Sequence, residues 1–489
     1  MKRQDLPSPG DVPARDYLVV SECYPPNSVG GAELSLASTL SASRVAADIL
    51  VVNILGRAPQ VTQHRVDGIP VIELPPQAKW PYHRLSEAER ARIQAELPKP
   101  IGWLLFAFHA LAYLLSGRLD RVVARFLMLA TLPFRVRRNG PFAPFDTEDT
   151  GYWSLALRRI LAASGASTVH GDNLLGILLT QAAGGAAARR VGVVRDNRFL
   201  CVRRDQQTRM GGKVCVACHA ECHTGTRFAD RRLRRIARHI GWMRRRALRG
   251  FDEVVVTSRY LERQIRSLGA MPPLTRIANP AGDASGRDTP AVPEWDGTNI
   301  FIVGQIHDNK GQEALVAWLP ELIRRIPDVK LHFAGRGDAA RDRMIAAAGA
   351  EAGRLRFHGY VSRDDIRALY QSCQIAALPT RWPEPFGRVP LEAGIERKPV
   401  IAFGVGGLPE QIVHGVTGLV VPAGDYAGFV DALAKLAADP SLRERLGAAA
   451  ARHVAARYDR NETARAYEAL WQSPVAVSDG SRTRRIASG

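Results

Sequence analysis

Two carboxylates, Glu384 and Glu392, flank a Pro-Phe-Gly turn in the segment Pro383-Glu384-Pro385-Phe386-Gly387-Arg388-Val389-Pro390-Leu391-Glu392-Ala393-Gly394, with seven residues between them. The prolines and Gly387 mark a loop, while Leu391-Glu392-Ala393 begins a run that can turn helical. The spacing therefore predicts Glu384 on a loop and Glu392 in a first helical turn. Backbone N–H groups are free at such a helix start and suit an anion. A carboxylate beside an anion site is useful when the ligand also carries hydroxyls, and a nucleotide diphosphate sugar carries them on both its ribose and its sugar. A bare pair of carboxylates at this spacing would be solvated surface charge; the flanking residues set this pair apart.

From Ile375 to Asp425 the chain resembles the donor-binding half of retaining glycosyltransferase family four, the glycogen-synthase-like enzymes of GT-B fold also grouped as glycosyl transferases group 1. The pattern there is a strand, a Pro-Ser/Thr loop, E-x-F-G-x-x-x-x-E-A, then G-G-x-P-E and a Gly-rich close. This chain has Leu378-Pro379-Thr380, the two-carboxylate segment, Gly406-Gly407-Leu408-Pro409-Glu410, then Gly415, Gly418 and Asp425. The resemblance implies that Glu392 binds ribose hydroxyls, that Glu384 contacts the donor sugar near the reacting carbon, and that Phe386, Gly387 and Val389 give backbone contacts. Gly304 and Lys310-Gly311 resemble the family's phosphate-gripping loop, and Gly30-Gly31-Ala32-Glu33 resembles its N-terminal phosphate-side loop, which puts Gly31 at the donor. The family usually has an Arg where this chain has Gln305, so the diphosphate's charge would fall to Lys310 with Arg388 or Arg381. Retention of configuration is implied too. No covalent nucleophile is evident in the sequence, which fits a front-face transfer in which the leaving phosphate takes the acceptor proton.

Sugar transfer leaves growing negative charge on a nucleoside diphosphate, and fixed positive groups must meet it. Lys310, the amides around Gly387 and a helix start can do so. No Asp-x-Asp triplet occurs in the chain, so the usual carboxylate holder for a divalent cation is missing and the expected transfer is metal-independent, with no cofactor beyond the donor.

The elements that would position these groups are short apolar strands, each followed by a helical pattern. Tyr17–Ser21, Ile49–Val52, Thr168–His170, Val191–Val194 and Val254–Ser258 form one such series, and Ile300–Val303, Val329–Phe333 and Val400–Phe403 a second. Alternation of this kind argues for parallel sheets. The expected α/β fold is two Rossmann-like domains facing a central cleft, with a C-terminal helix crossing back to the first. The boundaries are an N-terminal tail at 1–15, an acceptor-side domain at 16–280, a linker at 281–298, a donor-binding domain at 299–455, the crossing helix at 456–472 and a disordered tail at 473–489.

At 489 residues with 46% hydrophobic content the chain can bury two cores, and its net charge of +19 must attract something anionic. Met1 to Arg15 is polar and lacks the apolar centre of a secretory signal, so a cytoplasmic location is expected. Ile101 to Leu115 is apolar but shorter than a membrane span, and arginines from Arg118 to Arg138 follow it, interleaved with Phe126, Leu127, Leu129 and Phe134. Such an insert, about 101–138, suits a helix lying on an anionic membrane at the inner face of the cell membrane; Arg231 to Arg249 forms a second basic run. The alternative is two core-facing helices with basic solvent faces. Nucleic acid is the poorer partner, since the basic runs carry no recognised binding motif.

On the acceptor side the family commonly has a His after the strand that ends at Val194, and this chain has Arg195-Asp196-Asn197 instead. Arg195 cannot serve as a base at neutral pH and would hold an anionic group, leaving Asp196 for a hydroxyl. His170 and Asn173, in Val169-His170-Gly171-Asp172-Asn173, stand where the family often has Val-His-x-x-Asn; a satisfied structural histidine is the alternative. Cys201, Cys215, Cys218 and Cys222 fall in an insert at about 199–225, and their spacing could offer four thiolates to a structural zinc or iron–sulfur cluster. Reduced cysteines without metal are the other reading. The leading expectation is a transferase acting on a lipid-linked saccharide or a cell-envelope polysaccharide precursor. The alternatives are a soluble transferase with a small-molecule acceptor and a sugar-nucleotide-binding protein that Gln305 and Arg195 have cost its catalysis.

Overall fold

The computed structural model describes residues 7–26, 30–56, 60–75, 151–183, 188–200, 241–242, 244–282 and 294–473. The 101–138 insert, all four clustered cysteines, most of the basic run at 231–249, residues 283–293 of the expected linker and the tail from 474 lie outside the described residues.

Runs of Val, Ile and Leu become strands buried on both faces, as parallel sheets covered by helices require. The first sheet comprises β1 (Tyr17–Ser21), β2 (Ile49–Asn53), β3 (Thr62–Val66), β4 (Ile69–Glu73), β5 (Thr168–Asp172), β6 (Arg189–Val194), β7 (Glu253–Val256) and β8 (Leu274–Arg276). Its order is β3-β4-β2-β1-β5-β6-β7-β8, and only the β3–β4 pair is antiparallel. That hairpin is absent from the expectations above, although Asp67-Gly68, both at positive φ, supplies the turn signal. The second sheet comprises β9 (Thr298–Val303), β10 (Val329–Ala334), β11 (Leu355–Gly359), β12 (Ile375–Leu378), β13 (Val400–Phe403) and β14 (Gly418–Val421), all parallel, in the order β11-β10-β9-β12-β13-β14. Strand order reverses between β1 and β5 in one sheet and between β9 and β12 in the other. At such a reversal the loops leave in opposite directions and open a crevice at the carboxyl ends of the strands.

Among the described helices, α1 (Gly31–Ser41), α2 (Gly151–Ser164), α3 (Asn173–Ala183) and α4 (Arg259–Arg266) belong to the first domain. The second contains α5 (Gln312–Val316), α6 (Leu319–Arg325), α7 (Asp338–Ala348), α8 (Arg363–Ser372), α9 (Val389–Ile395), α10 (Tyr426–Ala438) and α11 (Pro440–Arg457). Side-chain caps fix several starts: Ser258 accepts from Leu261 N, Ser362 from Asp365 N, Asp425 from Gly428 N and Asp439 from Leu442 N. The N-terminal stretch contributes to the core, because Val12 is buried with Leu18, Val20 and Trp153.

The last helix, α12 (Arg460–Gln472), crosses back as expected. Its N-cap is Asp459, and its Tyr467, Leu470 and Trp471 are buried against Val19, Val51, Val191 and Val255 of the first sheet. Glu468 on the same helix accepts from Ser43 Oγ at 2.7 Å and Arg44 N at 2.6 Å, so the crossing is fixed by polar contacts as well as by apolar ones.

A histidine relay stiffens the entry to the second domain. Asn299 Nδ2 donates to carbonyls at 295–297, so its Oδ1 accepts from His332 Nε2–H at 2.8 Å. The remaining His332 nitrogen, Nδ1, must then accept from His358 Nε2–H at 3.1 Å, and Trp295 stacks on His332 at 3.8 Å between ring centroids. Burial, with His358, Arg356 and Lys330 adding repulsion, pushes the His332 pKa down to about 3 from its ordinary 6.5. Below pH 6.5 the unfolded chain therefore takes up a proton that the folded chain refuses, so this stabilisation is complete above pH 6.5 and fades as pH falls toward 3. Urea midpoints measured between pH 7.5 and pH 4.5 should drop more steeply for the parent protein than for His332→Gln; equal slopes would contradict the relay.

Candidate active site

The donor-side residues named above converge at the β9/β12 crevice. Beyond β9 the chain turns at Gly304 (φ 133°), and Asp308–Lys310 forms a 3-10 turn closed by Gly311 in the left-handed region. A Cβ on Gly311 would collide with the Pro379 carbonyl, so only glycine fits there. The turn is sewn to the loop after β12, because Asn309 O accepts from Arg381 N at 2.9 Å and Trp382 N at 3.2 Å. This brings Lys310 Nζ to Glu384 Oε1 as an ion pair, with the Glu384 side chain 14% exposed and Lys310 30%.

Gly387, at φ 85°, reverses the loop, and α9 starts with Val389 and Pro390 in its first turn. Glu384 thus lies on a loop and Glu392 in a first helical turn, as the spacing predicts. Glu392 accepts from Arg388 Nε at 3.2 Å and from the Tyr370 hydroxyl at 3.4 Å; burial, then the neighbouring carboxylate, raises the Tyr370 phenol well above its usual pKa. Arg388 also reaches the first domain. Its Nη1 donates to Ser35 Oγ at 2.7 Å, and its side chain packs against Gly31 so closely that a Cβ there would force Arg388 to move. Of the two arginines that could replace the absent cation at Gln305, Arg388 is in this cleft contact while Arg381 is exposed. Phe386 is buried with Ala281, Leu391, Val454 and Tyr458, where the chain passes between the domains.

Across the cleft, the acceptor-side residues sit at the β1/β5 reversal in a buried charge network. Asp172 accepts from Arg195 Nε at 2.9 Å and from His170 Nε2–H at 3.2 Å, and Arg195 Nη1 donates to Asn279 Oδ1. Burial alone would raise the Asp172 pKa; Arg195 and His170 outweigh it and hold the carboxyl below its ordinary range, while burial, outweighing the Asp172 contact, pushes the His170 pKa down. His170 also stacks on Tyr467 of α12, with ring centroids 5.6 Å apart. One guanidinium nitrogen, Arg195 Nη2, has no hydrogen-bond partner. Asp196 caps the short turn Asn197–Phe199: its Oδ1 accepts from Arg198 N at 2.8 Å and its Oδ2 from Arg198 Nε at 2.6 Å. Arg198 continues to Glu22 at 2.9 Å, whose other oxygen accepts from Leu175 N. Asn173, at φ 60°, opens α3 from a strained backbone position, buried and with its Oδ1 unpartnered.

Sequence reasoning missed Asn197, Ser258 and Glu410, which join the domains. Asn197 Nδ2 donates to Pro383 O at 2.9 Å, Ser258 Oγ to Pro385 O at 2.6 Å, and Glu410 accepts from Arg259 N and Tyr260 N at 2.7 Å each. Ser258 at the end of a strand and before a helix was readable as a cap; its second partner was not. Among the described residues no group of three or more His, Cys, Asp or Glu could hold a metal ion, and no described helix is long and apolar enough to cross a membrane.

Residues 292–453 match the family model described as glycosyl transferases group 1. A glycogen synthase of Mycobacterium tuberculosis is 30% identical over 174 residues, covering 34% of this chain and 40% of the relative. A phosphatidyl-myo-inositol mannosyltransferase of Mycolicibacterium smegmatis is 32% identical over 199 residues, covering 40% of this chain and 50% of the relative. The chain thus spans half or less of these relatives' length. Among solved structures, a sucrose-phosphate synthase of Thermosynechococcus elongatus superposes with a TM-score of 0.61 at 19% identity, covering 94% of this chain and 98% of the other. That likeness concerns the fold, which is GT-B.

The two sides of the cleft should respond differently to substitution. Arg195→Leu strips a buried carboxylate of its cation and should cost about 3–5 kcal/mol in urea denaturation, whereas Lys310→Ala, at the open cleft, should change stability by less than about 1 kcal/mol. Comparable small effects for both would contradict the network described.

Proposed function

We propose that the chain is a glycosyltransferase that moves a sugar from a nucleotide diphosphate sugar to a saccharide or lipid-linked saccharide, with retention and without a catalytic metal. The observation that carries this reading is the convergence of Lys310, Glu384 and Glu392 at the β9/β12 crevice, inside the segment that matches glycosyl transferases group 1. Glu392 takes the ribose hydroxyls and Glu384 the donor sugar. Lys310, freed from Glu384 by the incoming donor, meets the diphosphate, with Arg388 beside Gly31 as the second cation. The Gly304 turn and the backbone at Phe386, Gly387 and Val389 let the ligand approach closely.

In a front-face step the acceptor oxygen bonds to the anomeric carbon on the face from which the phosphate oxygen departs, and the acceptor's proton goes to that oxygen. Fixed cations favour this departure most when charge has built up there, so they lower the barrier rather than merely tightening binding. Arg195 and Asp196, whose polar atoms are largely engaged by Asp172, Asn279 and Arg198, act on the acceptor by holding the opposite wall in shape, and His170 and Asn173 complete that wall. The mannosyltransferase named above supports a lipid-linked acceptor, as do the net charge of +19 and the apolar and basic residues at 101–138. An anionic membrane surface on the cytoplasmic side would then supply it.

Nucleoside diphosphate release from UDP-, GDP- and ADP-sugars, with and without membranes, tests the reading. One donor should be used, release should rise with membranes, and Glu384→Ala should lower it at least about 10²-fold. Release that is indifferent to membranes would move the acceptor to a soluble small molecule. Silence with every donor would contradict the proposal in favour of a binding protein.

A further inference from the structure

The loop that carries Glu384 is held alternately by the two domains. Pro383 O accepts from Asn197 Nδ2 at 2.9 Å in the first domain, and Glu384 O from Gly407 N at 2.7 Å in the second. Pro385 O then accepts from Ser258 Oγ at 2.6 Å in the first domain, and Phe386 O from Gln411 Nε2 in the second. Prolines on either side of Glu384 have no N–H to offer, so their carbonyls are the polar handles by which the loop can be gripped. Asn197 and Ser258 are both buried. The Tyr260 hydroxyl donates to Asn197 Oδ1 at 3.3 Å, which turns the amide so that its NH2 faces Pro383. Glu410, next to Gln411, binds the amides of Arg259 and Tyr260 directly after Ser258, so one patch of the first domain holds both the loop and its support.

We propose that Asn197 and Ser258 are positioning residues for Glu384: two buried side chains of the first domain fix the backbone on either side of a carboxylate that belongs to the second. This rests on the transferase reading for the role of Glu384. Loss of these side chains would strip the Pro383 and Pro385 carbonyls of buried partners, which is unfavourable, and would release Glu384 from one side. A carboxylate displaced by an ångström loses most of its effect on a reacting centre.

Hydrogen exchange and turnover test this together. In the full chain, Asn197→Ala and Ser258→Ala should speed exchange at the Gly407 amide, which the Glu384 carbonyl holds. Ser258→Thr, which keeps the hydroxyl for both the cap and Pro385, should restore slow exchange. In the nucleoside diphosphate release assay, Asn197→Ala should lower kcat about 10²-fold with little change in the donor KM, and should add no further loss in a Glu384→Gln background. Unchanged exchange in both alanine variants, or a full additional loss in the Glu384→Gln background, would overturn the proposal. If the parent protein releases no nucleotide from any donor while exchange responds as stated, the grip stands and the transferase reading falls.

Discussion

The ion pair between Lys310 and Glu384 joins the loops that follow the two strands at which the second sheet reverses its order, and the donor side of the cleft depends on that junction. Lys310 arrives there because Gly311 can adopt a left-handed conformation against the Pro379 carbonyl, and Glu384 because two prolines and Gly387 hold an extended loop that doubles back. Neither residue is buried deeply enough to be inert, and neither is loose. Opposite charges held together at a crevice mouth are what a ligand with both a phosphate and hydroxyls can separate and occupy, since it offers an anion to one and donors to the other.

The opposite wall follows different physics. Asp172 and Arg195 are out of water beside His170, so the two charges must satisfy each other, and the network draws in Asn279, at the end of the first domain, while His170 stacks on Tyr467 of the crossing helix. The first sheet, the passage between domains and the returning C-terminal helix therefore share one buried polar knot. Such a knot is costly to break and intolerant of half-measures, which makes it suited to setting how the two domains face each other.

Much of this was legible in the sequence because it rests on local signals. The strand runs Tyr17–Ser21, Ile300–Val303 and Val400–Phe403 carry their burial in consecutive apolar residues, and the proline and glycine punctuation around Glu384 announces a loop leading into a helix. Asp67-Gly68, the turn of the β3–β4 hairpin, is a local signal of the same kind. Other features had no local signature. Arg195 reads as an available cation until its distant partners Asp172 and Asn279 are brought beside it by the fold. Asn197 and Ser258 act on carbonyls far along the chain, and a backbone acceptor leaves no mark in the sequence. The site was readable where one segment builds it and opaque where two domains share it.

Titration calorimetry of UDP, GDP and ADP against the parent protein and Lys310→Ala tests the donor-site assignment most directly. One diphosphate should bind, and loss of the ammonium should weaken it about 10- to 100-fold, the effect of removing a charged hydrogen bond. Equal affinity of the parent and Lys310→Ala for that nucleotide would contradict the account.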